Sequence, residues 1–204
     1  MPKEIIPTDR GTTADEVPDF SWKDNMKTPT TSKNHVKFDN NSTSSVVDDG
    51  LSDYNKVIDS GTGFINVSTD NGTFELTGGS IAWRNNNPGN LKYGEFGKAH
   101  GAIGSDWKNH CVFPNYKTGE KAQRELMFNK DSRYYSMSLL EAMKRYAPSD
   151  DNNHPTEYAN YISRQAGLKK TDVINTFSKD EQDRMVKAMF AMEGYSVGHI
   201  KKVK

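Results

Sequence analysis

The chain has 204 residues, of which 33% are hydrophobic, and its mean hydropathy is −0.86. These values are low for a chain that is packed throughout, so we expect one compact domain together with a polar extension. The single cysteine, Cys111, excludes an intramolecular disulfide. Because the sequence contains no run of about 18 apolar residues, it predicts no insertion into a membrane.

The formal net charge of zero divides unevenly along the chain. Residues 1–60 carry 7 Lys/Arg against 11 Asp/Glu, a net −4, which leaves a net +4 for residues 61–204. A mildly basic body favours a polyanionic partner, and the bacterial cell wall and nucleic acid are both polyanions. We do not expect nucleic acid, because there is neither a run of Lys/Arg nor an interleaved aromatic stripe.

The composition of residues 1–60 predicts a flexible N-terminal extension. They are rich in Asp, Asn, Ser, Thr and Lys and cannot bury enough apolar surface to offset the entropy of ordering. The segment is either a loading or delivery segment or a passive linker. Because residues 1–18 lack the apolar core of a signal peptide, we expect any export to proceed without a cleaved signal.

Residues 61–78 predict a β-hairpin that leads into a domain formed by residues 79–204. Apolar residues alternate with polar ones on both sides of Asn71-Gly72. That pair accepts the positive φ values of a tight type I′ turn, which makes it a strong hairpin signal.

Residues 81–90, with the sequence IAWRNNNPGN, predict a loop, because no simple periodic element accommodates them. Asn, Pro and Gly suit turns, Arg84 offers a cationic fork, and Trp83 offers a flat apolar face. Such a mixture suits a ligand that carries many hydroxyl and amide groups. The alternative is a surface turn whose asparagines bond only their own backbone.

The remainder of the chain predicts an α+β fold in which helices dominate. Glycines recur between residues 91 and 115, where only His110 to Phe113 reads as a strand. Four helices are then predicted: residues 121–128, a helix from the capping box of Ser138 and Glu141 to Pro148, residues 155–165, and a helix from the capping box of Ser178 and Glu181 to Gly194. The fourth helix carries a methionine-rich stripe that is typical of a packed core.

A series of motifs resembles a family of lysozyme-like domains found in phage virion-associated proteins and in bacterial secreted antibacterial effectors. The matching segments, in order, are Arg84 to Leu91 with Tyr93-Gly94, Gly101 to Asp106, Val112-Phe113, Gly119, Arg145 to Pro148, Tyr158 to Ile162, and Glu193 to Tyr195. The resemblance spans residues 79–195 and leaves out the N-terminal third. It implies a lysozyme-like fold and a peptidoglycan hydrolase, either a muramidase or a lytic transglycosylase.

Glu193 is the first candidate for the catalytic acid. A glutamate at the end of a buried helix, beside aromatic residues, can be desolvated enough to stay protonated near neutral pH, as glycoside hydrolysis requires. Glu95 is the second candidate, because it lies just beyond the loop between two aromatic residues. The resemblance to goose-type lysozymes and lytic transglycosylases implies that one carboxylate is sufficient.

The residues expected to bind sugar, or to hold the loop that does so, are Trp83, Arg84, Asn85, Asn86, Asn87, Asn90 and Tyr93. Asp106 could orient water or a sugar, or it could cap a turn. The sequence predicts no metal site and no cofactor, because it contains neither a zinc-ligand spacing nor a phosphate-binding glycine loop.

Two other functions stay open. Cys111 beside His110 suggests a cysteine amidase or peptidase acting on wall peptides, although adjacent strand residues point to opposite faces and His110 then cannot be the base. The other open function is that of a virion structural or wall-binding protein, which has the fold but no catalytic turnover. In every case we expect action at the cell wall or periplasm of a target bacterium, delivery by a virion or secretion-system carrier, and, for an effector, an immunity protein as partner.

Overall fold

The computed structural model describes residues 51–149 and 154–204. Within these ranges, four strands form an antiparallel sheet in the order β1-β2-β3-β6, and β4 and β5 form a separate pair. The strands are β1 Tyr54–Gly61, β2 Phe64–Thr69, β3 Gly72–Thr77, β4 Gly104–Ser105, β5 Cys111–Val112 and β6 His199–Lys202. The sheet therefore joins the segment before the Asn-rich stretch to the last residues of the chain.

The predicted hairpin is confirmed, but its predicted turn type is wrong. Alternate residues of β2 are buried, as expected for a strand with one face against a core. Thr69 pairs with Gly72, so the two loop residues are Asp70 and Asn71. Within this turn only Gly72 has a positive φ, 123°. A type I′ turn centred on Asn71 and Gly72 would need positive φ at both residues.

The predicted boundary of the extension at residue 60 is also wrong. Residues 54–61 form β1, which pairs with β2, and Tyr54 is only 3% exposed. Most other side chains of β1 lie outside the core, so the strand lacks the apolar alternation that would reveal it in the sequence. Residues 1–50, the rest of the predicted extension, lie outside the described residues.

The mixed α+β class is confirmed, whereas the predicted dominance of helices is not. Helix accounts for 41% of the described residues and strand for 21%. The helices described are α1 Ile81–Arg84, α2 Glu95–Ala99, α3 Tyr116–Phe128, α4 Leu139–Tyr146, α5 Pro155–Ala166 and α6 Lys179–Glu193, with a 3₁₀ turn at Ile174–Thr176. None of them is long and apolar enough to cross a membrane.

The ends of the later helices follow their sequence signals. Ser138 and Ser178 each accept a hydrogen bond from the backbone of the glutamate three residues on, and both capping boxes are complete. Gly167 and Gly194 end α5 and α6 in the left-handed conformation, at φ values of 67° and 70°. These helix ends are confirmed.

The predicted start of the first long helix, at residue 121, is wrong. Helix α3 begins at Tyr116, capped by Asn115, whose side chain accepts from the backbone N–H of Thr118 at 2.9 Å. Gly119 in its first turn lowers helix propensity by about 1 kcal/mol relative to Ala, which hides the early start in the sequence.

Two hydrophobic cores lie on either side of β5. The larger one packs α3 to α6 together and includes Cys111, and the smaller one packs the sheet against Trp83 and includes Val112. Because successive strand residues point to opposite faces, β5 contributes one residue to each core. The Asn-rich stretch runs between the same two cores and is held from both.

Candidate active site

The Asn-rich stretch begins with one turn of helix and not, as predicted, entirely with loop. The Ser80 side chain accepts from the backbone N–H of Trp83 at 3.2 Å and so caps α1. The chain then turns through Asn86 and Asn90, whose φ values are 52° and 48°. Asparagine tolerates this left-handed region better than most residues, which explains its repeated use here.

Three of the asparagines bind the protein itself. Asn85 Nδ2 donates to Asp106 Oδ2 at 2.9 Å. Asn86 Nδ2 lies 3.3 Å and 3.2 Å from the carbonyls of residues 113 and 114. Asn87 donates to the carbonyls of Leu91 and Cys111 at 2.9 and 3.0 Å and accepts from the backbone N–H of Leu91. All three are at most 9% exposed, so their side chains hold the loop, which is one of the two roles expected for them.

Trp83 and Arg84 are also turned inwards. Trp83 is 1% exposed and belongs to the smaller core, so its face is unavailable for stacking on a sugar. Arg84 donates through Nη1 to the carbonyls of Gly78 and Gly79. Burial lowers the pKa of the guanidinium, and the nearby Asp106 opposes this shift. The cationic fork therefore fastens the end of the hairpin to α1, which differs from the expected ligand contact.

Helix α3 approaches the stretch at two glycines. A Cβ on Gly119 would lie 2.0 Å from the carbonyl oxygen of Asn86, and one on Gly89 would lie 2.1 Å from Oε1 of Gln123. Real Cβ atoms do not come this close to other heavy atoms, so Gly119, which faces a backbone oxygen, requires glycine, whereas at Gly89 the Gln123 side chain would have to move. The close approach at Gly119 and Gly89 sets the distance between the loop and α3.

Asn90 is the asparagine that reaches Glu193. Its Nδ2 donates to Glu193 Oε2 at 3.0 Å, and Asn90 itself is half-buried. Glu193 is the last residue of α6, immediately before Gly194, and is 4% exposed. The loop and the end of the last helix, both predicted to be functional, therefore meet at one carboxyl group.

An aromatic pair lies beneath this carboxyl group. Tyr158 of α5 donates to Glu193 Oε1 at 2.9 Å, and its ring meets that of Tyr146 edge to face at 5.9 Å. Tyr146 in turn donates to the carbonyl of Gly89 at 2.6 Å and contacts Gln123 Oε1 at 3.3 Å. Both oxygens of Glu193 thus accept a hydrogen bond, and the loop is tied to the same aromatic pair.

Burial dominates the ionisation of Glu193. It raises the pKa of the carboxyl from 4.5 to about 8, although the hydrogen bonds from Asn90 and Tyr158 act to lower it. Removal from water disfavours the carboxylate more than two donors can restore it. The group is therefore mostly protonated at neutral pH.

Asp106 is the centre of a separate polar cluster. Its carboxylate accepts from Asn85, from the backbone N–H groups of Lys108 and His110, and from His110 Nδ1. Burial would raise its pKa, but the hydrogen bonds and charge of His110 and the hydrogen bond from Asn85 outweigh it, so the pKa is lowered. Asp106 is an ionised anchor for the turn, and this geometry matches its alternative reading as a cap.

The remaining predicted residues lie apart from Glu193. The Glu95 side chain is 90% exposed and forms an ion pair with Lys98 at 2.8 Å, in the first turn of α2. Tyr93 is half-buried, with the Lys98 ammonium 5.6 Å from its ring centroid. Glu95 is thus an exposed, ion-paired side chain, whereas Glu193 is buried beside Asn90.

Three residues of the site were not chosen from the sequence, namely Gln123, Tyr146 and Tyr158. Tyr146 and Tyr158 lay within segments that carry the family resemblance, and that position was the only available signal. Their spacing along α4 and α5 is that of ordinary core residues, so periodicity alone hides their contact with the carboxyl group.

Residues 51–149 and 154–204 contain no group of three His, Cys, Asp or Glu side chains that could hold a metal ion. Around Glu193, the amide of Asn90 and the phenol of Tyr158 each donate a hydrogen bond to a carboxyl oxygen. No model of a known protein family matches the chain, and no curated protein matches it either.

Proposed function

We propose that this protein is a lysozyme-like hydrolase that cleaves the glycan strands of peptidoglycan, with Glu193 as its general acid. The observation that carries the proposal is the buried Glu193 carboxyl, which has a pKa raised to about 8 and lies against the Asn-rich loop through Asn90. An acid that is still protonated at neutral pH is what cleavage of a glycosidic bond requires.

The reaction follows from the two states of this group. Protonated Glu193 gives its proton to the glycosidic oxygen as the bond to the anomeric carbon breaks, so the leaving sugar departs as an alcohol. The carboxylate that forms is stabilised by the hydrogen bonds from Asn90 and Tyr158. It then accepts a proton from water that attacks the anomeric carbon, which gives hydrolysis. A hydroxyl of the substrate can replace that water, which gives an anhydro sugar and makes the enzyme a lytic transglycosylase.

The proposal requires substrate to reach Glu193 between the loop and the helices. Glu193 is 4% exposed, and Asn90 beside it is only half-buried. The net +4 of residues 61–204 suits an anionic wall polymer. We infer action at the wall or periplasm of a target bacterium, with delivery by a virion or secretion-system carrier and, for an effector, restraint by an immunity protein.

The geometry does not favour a cysteine nucleophile. Cys111 is fully buried, its thiol donates to the carbonyl of Lys92 at 3.1 Å, and burial raises its pKa to about 12. A nucleophilic cysteine needs the opposite conditions, namely access and a lowered pKa. His110, which was considered as its neighbour, is bonded to Asp106.

The test compares wild type, Glu193→Gln and Glu95→Gln in the loss of turbidity of purified wall fragments. Glu193→Gln keeps the size of the side chain but cannot donate an acidic proton, so we expect the rate to fall by roughly 100-fold or more. Glu95→Gln is the matched control and should keep the wild-type rate. Mass spectrometry of the products separates a hydrolysed from an anhydro end.

Two results would contradict the proposal. Full activity of Glu193→Gln would remove Glu193 from the chemistry. Wild-type protein that binds wall fragments but releases no soluble sugar would make it a wall-binding or virion structural protein without turnover.

A further inference from the structure

A cavity lies between α2 and the C-terminal end of α3. Its volume is about 250 Å³, and its lining includes Phe96, His100, Glu125, Leu126, Asp131 and Arg133. Sites for drug-sized ligands measure about 300–1,000 Å³, so this cavity suits a single side chain or ring and not a chain of sugars.

One part of the lining is apolar and held in place. The rings of Phe96 and His100 stack with their centroids 3.9 Å apart. His100 Nδ1 lies 2.8 Å from the carbonyl of Phe96, which fixes the ring against α2. Leu126, 3% exposed, adds an aliphatic surface from the core. A short hydrocarbon chain would replace water against these groups.

The other part of the lining is charged and lies on a turn that is itself bonded. Asn129 Nδ2 donates to Glu125 Oε2 at 2.9 Å, and Asn129 Oδ1 accepts from the backbone N–H of Asp131 at 2.9 Å. Ser132 Oγ donates to the carbonyl of Leu126. These bonds fix the Glu125 carboxylate and the backbone of the turn, and the side chains of Glu125, Asp131 and Arg133 line the same cavity.

The charged and apolar groups of the lining together indicate which kind of ligand the cavity fits. Two carboxylates against one guanidinium favour a cation, while the apolar surface beside them favours an aliphatic stem. An alkyl ammonium satisfies both requirements, because its methylene groups pack on apolar atoms while its charged end reaches the carboxylates.

We propose that this cavity binds the diamino acid residue of a peptidoglycan stem peptide, with its side-chain ammonium at Glu125 and Asp131. The choice of the stem peptide as the source of the ammonium rests on the proposed function. It would give a glycan hydrolase a second contact with the wall, on the peptide that branches from the strand it cuts.

Helix α3 contributes to both sites. Gln123, which contacts Tyr146 below the loop, and Leu126, which lines the cavity, are three residues apart on this helix.

The test measures binding of two synthetic tetrapeptides to the full chain by calorimetry and by amide chemical shifts. One is alanyl-γ-D-glutamyl-lysyl-D-alanine, and the other carries norleucine in place of lysine. We expect the lysine peptide to bind at least tenfold more tightly and to shift amides in α2 and in the turn after α3. Glu125→Gln and Asp131→Asn should each weaken it by about tenfold, since each removes a charged partner of the ammonium.

Glu75→Gln, a half-buried glutamate on β3, is the matched control and should bind like wild type. Glu193→Gln should also bind like wild type, so the outcome does not depend on turnover. Equal affinity for the two peptides, or no effect of Glu125→Gln and Asp131→Asn, would overturn the inference while leaving the hydrolase proposal intact. Tight binding of the lysine peptide by a wild-type protein that cannot degrade wall would instead support the cavity and reject the hydrolase.

Discussion

Asn90 and Glu193 lie 103 residues apart in the sequence, and their side chains are joined by a hydrogen bond of 3.0 Å. This bond connects the loop between the two cores with the end of the last helix. Tyr158 donates to the other oxygen of the carboxyl. The two donors favour the carboxylate form of Glu193, whereas its burial favours the protonated form. The balance between the two sets the pH at which the group can act.

Activity on wall fragments should decline as pH rises above about 8, the pKa of Glu193. Tyr158→Phe removes a donor to the carboxylate, which raises this pKa, so the decline should move to higher pH. A hydrogen bond to a charged group contributes about 1.5–3 kcal/mol, which corresponds to a shift of about 1–2 pH units. The measurement is kcat/KM against pH, with Tyr161→Phe on the same helix as the control. If the decline in activity stays at the same pH in Tyr158→Phe, Glu193 does not determine that decline.

Stability should depend on the ionisation of Glu193. Between pH 4.5 and about 8 the unfolded carboxyl is ionised while the folded one holds its proton. The unfolded state therefore binds fewer protons, and stability falls as pH rises through this window. The contribution that is lost is on the order of 3–5 kcal/mol. Urea unfolding at pH 5, 7 and 9 should show this decline for wild type.

Glu193→Gln should not share that decline, because glutamine does not ionise. It should match wild type near pH 5 and exceed it at pH 9. Glu95→Gln, whose side chain is exposed, is the control and should follow the wild-type curve. Parallel curves for wild type and Glu193→Gln would show that the carboxyl is not desolvated in the folded protein.

Gly119→Ala should destabilise the domain although alanine is the better helix former. The helix preference favours alanine by about 1 kcal/mol. The new Cβ would meet the carbonyl oxygen of Asn86 at 2.0 Å, and relief of such overpacking typically costs about 1–3 kcal/mol. Urea unfolding of this variant and of Lys121→Ala, an exposed change on the same helix, separates the clash from the helix preference. A stabilised Gly119→Ala would mean that the loop can move away from α3 without cost.

Asn87→Ala should cost about 3 kcal/mol, because it removes three buried hydrogen bonds, although the Leu91 carbonyl still accepts from the backbone N–H of Cys111. Asn55→Ala removes one exposed hydrogen bond, at 2.7 Å to Asp70, and should cost less than about 1 kcal/mol. Thermal unfolding of the two variants checks the difference. A small effect at Asn87 would show that water can replace its amide.

Two truncations test the boundary at β1. A chain starting at residue 51 keeps β1, whereas a chain starting at residue 61 lacks its pairing with β2 and the buried Tyr54. Burial of a large side chain contributes about 1.5–3 kcal/mol, so the shorter chain should melt at a lower temperature. Equal melting temperatures of the two chains would show that residues 54–60 do not stabilise the domain and belong to the extension.

Local signals in the sequence were sufficient for the later helices and for the burial of Glu193. Ser138 and Ser178 carry complete capping boxes, and a glycine follows each of α5 and α6. These features act within four residues, so their geometry can be read without the rest of the fold. Glu193 could be chosen because its position at the end of an apolar helix implies burial.

Long-range partners explain what the sequence did not reveal. A run of asparagines fits a surface loop that binds sugar and fits equally well a buried loop that binds the protein backbone. Both loops need residues that form turns and carry polar side chains. Only the carbonyls of Leu91 and Cys111, which no local pattern pairs with Asn87, decide between them. Strand β1 was missed for a similar reason, because it is held by backbone pairing with few buried side chains.

The position of β6 at one end of the sheet has a consequence for how copies of the protein meet. An edge strand presents unpaired backbone groups that can recruit a strand from another molecule and begin aggregation. In the part of the chain that the structure describes, β6 pairs with β3 on one side, and its exposed residues include Lys201 and Lys202. Two such edges would bring lysines of like charge together, so β6 disfavours pairing of this edge with the same edge of a neighbouring molecule.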